Sequence, residues 1–201
     1  MNNVTKLLVA GLVVALLTTV ACSGLTRSDK PATRTWWLEP YTSTAKHLSS
    51  DPVVAVEISV SVVPGLDTDR ILTLSNEAEL NQFTAARWAD NLPELVASLT
   101  GRALQASGRY DVLPSHGGGG RNGCDLHLEV REFFASIGST GQATGVRVAV
   151  AGHYQCHSDE PVPIHLNASI PVHADHMSAI IAAFQQGMDR VMVELLALLE
   201  R

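Results

Sequence analysis

The chain has 201 residues, enough for one domain with a tail, and 46% of them are apolar, enough to bury a core. Acidic side chains outnumber basic ones by 20 to 14, which leaves a formal net charge of -6. That balance, with no basic run, excludes nucleic acid as a partner, since phosphate binding rests on Lys and Arg, and it excludes polybasic attraction to anionic lipid.

Any membrane attachment must therefore come from elsewhere, and the first residues supply it. Met1 to Lys6 is a short, positively charged segment, and Leu7 to Val20 is uncharged and apolar. A transmembrane helix needs about 20 such residues. This run is shorter, N-terminal and followed by Ala21-Cys22-Ser23-Gly24, the pattern of a removable secretory signal. Small residues before a cysteine resemble the bacterial lipobox, although Thr19 stands where that pattern prefers Leu. The resemblance implies that residues 1–21 are cleaved and that Cys22 is acylated, palmitate included, as the first mature residue. Ser23 in second place, by resemblance to lipoprotein sorting, directs the protein to the outer membrane, lipid-anchored and facing the periplasm. Residues 22–35 are polar and without hydrophobic period, which fits a flexible tether; residues 36–201 form the domain.

Within the domain, Trp36-Trp37-Leu38-Glu39-Pro40 reads as a first edge strand stopped by Pro40. From Pro52 to Val63 the residues Val54, Val56, Ile58, Val60 and Val62 share one face, the period of a half-buried strand. Pro64-Gly65 marks a turn, Ile71 to Leu74 a short return strand, and the stretch to Trp88 is less regular. A helix follows, capped by Asp90 or Asn91, with Pro93 and Glu94 in its first turn and an apolar stripe of Leu92, Leu95, Val96, Leu99 and Ala103. Gly108 ends it. Arg109 to Leu113 is a strand, and residues 114–123, with four successive glycines, form a loop lacking the Lys-Ser/Thr that a phosphate cradle needs. Two strands, Asp125 to Phe134 and Val146 to Cys156, are joined by a turn around Ser139 to Gly145, and Ile164 to Val172 alternates again. Asp175 opens a last helix whose stripe runs from Met177 through Phe184 and Met188 to Leu199. This order predicts an α+β fold: two layers, a mostly antiparallel sheet with two amphipathic helices covering one face.

With Cys22 lipidated, Cys124 and Cys156 are the remaining thiols, in an oxidising compartment. Both lie on the apolar parity of their strands, and a turn centred on residue 140 sets them opposite each other, close enough for a disulfide. The alternative is two buried free thiols.

Several segments together resemble the ABC-type transport auxiliary lipoproteins. They are Trp36 to Pro40, the strand Val53 to Val62 with Pro64-Gly65-Leu66, the segment Ala86-Arg87-Trp88-Ala89-Asp90-Asn91-Leu92, and a C-terminal helix like Ser178 to Leu198. The resemblance implies a periplasm-facing partner of an MCE-domain protein in an ABC-driven system that moves lipid between inner and outer membranes. A structural or regulatory envelope lipoprotein, such as an activator of a cell-wall synthase, is the alternative, and homo-oligomerisation is left open.

No catalytic set is legible: there is no Gly-x-Ser-x-Gly elbow, and the acidic residues fall on strand exteriors and helix ends. The chain reads as a non-enzyme without cofactor or metal. Trp88, before a helix, reads as core. The one suggestive set is histidine. Turns centred on residues 140 and 159 would align His127, His153 and His165 across three strands, a row of imidazoles able to meet zinc if the register holds.

Overall fold

The alternating valines from Val54 onward build the strand from which the sheet is most easily followed. The structure, a computed structural model, describes residues 32–42, 53–76, 78–114, 123–157 and 159–200. The signal segment, Cys22, most of the tether and most of the glycine-rich loop lie outside them. In chain order the elements are β1 (Arg34–Trp36), β2 (Val54–Val62), β3 (Arg70–Ser75), β4 (Glu79–Trp88), α1 (Leu92–Ser107), β5 (Tyr110–Leu113), β6 (Cys124–Ile137), β7 (Ala143–Cys156), β8 (Val162–Pro171) and α2 (Met177–Leu199). β1 takes Arg34 and Thr35, whose polarity suits a tether.

The eight strands form one sheet organised around β6. Along one side β6 pairs antiparallel with β7, which pairs antiparallel with β8. Along the other side its first half carries β2 and its end carries β3, both parallel to it. β2 continues to β5 in parallel, while β3 pairs antiparallel with β4, and β4 pairs in parallel with β1. The fold is α+β as expected, but the sheet is mixed rather than mostly antiparallel: among the described pairings four are parallel and three antiparallel.

The Pro64-Gly65 turn is the source of that difference. It does not reverse the chain: β2 and β3 run in the same direction and follow one another along β6, so β3 is no return strand. The step between them is held by Val63 N–H donating to the Val130 carbonyl at 3.0 Å and by burial of Leu66. The stretch read as irregular is a ten-residue strand, β4. Its first four residues are exposed, and only Ala86 and Trp88 are buried, so it lacks the alternation that a half-covered strand carries.

The apolar positions meet on one face. Rows run Ile58–Leu126–Tyr154–Val162, Val60–Leu128–Gly152–Ile164 and Val62–Val130–Val150–Leu166 across β2, β6, β7 and β8. α1 packs on β2 and β5, and α2 on β7 and β8. A Cβ built at Gly101 of α1 would touch Ile58, and one at Gly187 of α2 would touch Val148. Ile58 and Val148 belong to the same face, so both helices cover it. Every residue of the α1 stripe is buried, and Gly108 closes the helix at φ 76°, the left-handed conformation that spares glycine a Cβ clash. Asn91 occupies the N-cap position without a side-chain cap bond, and Asp90 Oδ1 accepts from the Asn91 N–H at 2.9 Å. α2 begins at Met177 rather than at Asp175, capped by His176 Nδ1, which accepts from the Ala179 N–H at 3.1 Å. Trp88 is core as expected. It sits edge-on to Phe133 and Phe184, with ring centroids 5.7 and 5.1 Å away, and joins the end of β4 to β6 and α2.

Candidate functional site

The sheet face away from the helices is polar, as alternation requires. Across β2, β6 and β7 it presents the rows Glu57–Asp125–Gln155 and Ser59–His127–His153. These six side chains line an open hollow of about 460 Å³. The His127 and His153 rings lie 5.4 Å apart between centroids, tilted by 36°, and His127 Nδ1 is 2.9 Å from Ser59 Oγ. Gly152 allows this closeness: a Cβ there would collide with the carbonyl oxygen of His127. Further along the face a bulge after Val130 realigns β6. There Arg147 forks onto Glu132 at 3.0 and 2.5 Å and lies over the Phe134 ring at 5.4 Å, while Arg131 pairs with Glu129 at 2.8 Å. The half-buried acids Glu129 and Glu132 are thus matched by neighbouring arginines.

His165 does not join the pair. The β7/β8 register sets it opposite Ala151, with Pro163 opposite His153. The β7/β8 connection is centred one residue earlier than 159, which moves every partner by two, so His165 keeps the open face and leaves the row. Among the described residues no group of three or more His, Cys, Asp or Glu side chains is placed to hold a metal ion.

Cys124 and Cys156 are register partners at the open end of the β6/β7 hairpin and are joined by a disulfide. Close by, Tyr110 of β5 donates its hydroxyl to the Leu199 carbonyl at 3.0 Å, fastening the end of α2 to the sheet. Burial pushes the Tyr110 pKa up to about 12, with smaller contributions from Tyr154, which raises it, and Arg109, which lowers it. Burial raises Tyr154 as well.

The segment leaving β1 is locked down by a contact with no sequence signal. Leu38 is fully buried. The side-chain amide of Gln185 in α2 accepts from the Glu39 N–H at 2.8 Å and donates to the Glu39 carbonyl at 2.9 Å. Its Nε2 also donates to Asp189 Oδ1 at 2.8 Å, which fixes the amide's orientation. Trp37 between them stays exposed, with Arg102 of α1 6.0 Å from its ring centre. A lone Gln on a helix has no pattern that announces a backbone partner 146 residues away.

Taken together, these features define a small α+β domain of one mixed sheet, helix-covered on one face and polar on the other. Among the described residues no helix is long and apolar enough to cross a membrane. The family model for the ABC-type transport auxiliary lipoprotein component matches residues 38–195, and the chain belongs to that family. Membership makes it an envelope lipoprotein associated with ABC-type transport, in a family of auxiliary components rather than a class of enzymes. The fold is similar to that of protein XCC0632 from Xanthomonas campestris, a crystal structure assigned to family DUF330, with a TM-score of 0.68 and 17% identity over 81% of this chain and 92% of that one. It is also similar to the crystal structure of an uncharacterized protein, with a TM-score of 0.64 and 12% identity over 82% of this chain and 97% of that one. At these identities the likeness is one of fold. No curated protein matches the sequence.

Proposed function

We propose that the protein is a periplasm-facing outer-membrane lipoprotein, anchored through acylated Cys22, that serves as the non-enzymatic auxiliary component of an MCE/ABC-type intermembrane lipid transport system. The observation that carries this reading is the family match over residues 38–195 on a chain whose apolar leader ends in Ala21-Cys22-Ser23. Several acyl chains on Cys22 hold a domain firmly at a bilayer, whereas one chain holds it only marginally. Transport energy comes from the ATPase subunits of the complex, and this chain supplies a docking domain to the MCE-domain partner. Rigid helix-covered packing suits that task, because a docking surface that is already ordered loses less entropy on association.

Two measurements test the reading. Cys22→Ser moves the protein out of the outer-membrane fraction; outer-membrane fractionation at wild-type levels would defeat the anchor. Purification of the detergent-solubilised protein co-elutes MCE-domain and permease subunits; recovery of peptidoglycan synthases alone would defeat the transport assignment.

A further inference from the structure

We propose that His127 and His153 form a two-imidazole chelate for a borderline divalent cation, Zn²⁺ or Cu²⁺, on the open face of the sheet. The pair is set by the fold rather than by chance proximity. The two residues are register partners on β6 and β7, and the close approach at Gly152, where a Cβ would meet the His127 carbonyl, holds the two backbones together beside them. Their spacing, that of any directly opposed pair, is one that can admit a shared ion. Imidazoles bound through nitrogen at about 2.0–2.1 Å around a tetrahedral centre have ring centroids roughly 5 Å apart, and these lie 5.4 Å apart.

Ser59 supplies the outer-shell contact that ligating histidines require. Its Oγ lies 2.9 Å from His127 Nδ1; in the tautomer protonated at Nδ1 it accepts that N–H and leaves the Nε2 lone pair for the metal. Imidazole suits zinc and copper, and copper binds the tighter of the two by the general order of divalent affinities. Glu57 and Asp125 line the same hollow, one row along, and their carboxylates favour a cation there. Because no third side chain is placed as a ligand among the described residues, water completes the coordination shell, and affinity is weaker than that of a closed four-ligand structural site.

The test uses the mature chain in detergent, freed of metal, and titrated calorimetrically with Zn²⁺ and separately with Cu²⁺. The expected result is one equivalent bound, copper more tightly than zinc. His127→Asn or His153→Asn weakens binding at least about tenfold, Ser59→Ala weakens it by roughly tenfold, and His165→Asn leaves it unchanged. Thermal melts without metal verify that each variant is folded. The electron paramagnetic resonance spectrum of the copper-loaded wild type, independent of any variant, shows coupling to two imidazole nitrogens. Absence of stoichiometric uptake, uptake that persists in the His127→Asn/His153→Asn double variant, or a spectrum with a single nitrogen would each overturn the proposal.

Discussion

The side-chain amide of Gln185 makes the two hydrogen bonds to the backbone of Glu39 that a neighbouring β-strand would make. It anchors the segment after β1 to a helix 146 residues further along the chain. Each such bond contributes about 0.5–1.5 kcal/mol net, so Gln185→Ala lowers stability by roughly 1–3 kcal/mol in urea denaturation. The same substitution speeds hydrogen exchange at the Glu39 amide. Unchanged exchange there would show that Leu38 burial alone holds the segment.

The Cys124–Cys156 bond closes a loop with a sequence separation of 32. The chain-entropy model assigns such a loop about 3–4 kcal/mol. Replacing both cysteines with Ala lowers unfolding free energy by that order, and mass spectrometry of the non-reduced protein finds the two linked. Alkylation of both thiols without prior reduction would contradict the bond.

Tyr110 makes stability fall at alkaline pH. Its folded pKa, about 12, lies above the ordinary value of 10.0 because burial disfavours the phenolate. The unfolded chain therefore loses the proton first, so the contribution is complete below about pH 10 and is lost as pH rises towards 12. Tyr110→Phe removes the bond to the Leu199 carbonyl and flattens this part of the profile, which denaturation between pH 8 and 12 measures. A wild-type curve already flat over that range would refute the assignment.

Thr100 is fully buried in α1, and its hydroxyl has no hydrogen-bond partner among the described residues. Burying an unsatisfied hydroxyl costs free energy, and an isosteric methyl removes that cost. Thr100→Val therefore raises stability by about 1 kcal/mol, read as a higher denaturation midpoint at constant slope. A drop in midpoint would show that the hydroxyl is satisfied in solution.

Local patterns were legible where one face of an element is dry and the other wet. The valines of β2, the Ile164–Ile170 alternation of β8 and the stripes of both helices carry their period in the sequence, because burial on one side imposes it. The opposition of Cys124 and Cys156 was legible for a related reason: a hairpin's turn sets its register, and the turn near residue 140 is short. β4 escaped notice because its leading residues are exposed, leaving no contrast between faces to detect.

Tertiary structure alone decided the parallel neighbours: β2 and β3 beside β6, β5 beside β2, and β1 beside β4. Pro64-Gly65 is the same dipeptide whether the chain reverses or steps forward, and only the length of β6, able to take β2 and then β3 along one side, makes it a step. The histidines show the finer limit. A shift of one residue in the centre of the β7/β8 connection leaves every side chain on its expected face but moves each partner by two, so His127 and His153 meet while His165 faces Ala151. Gln185 and Glu39 lie beyond any local rule, since a hydrogen bond between distant segments exists only once packing of the whole domain has brought helix and chain together.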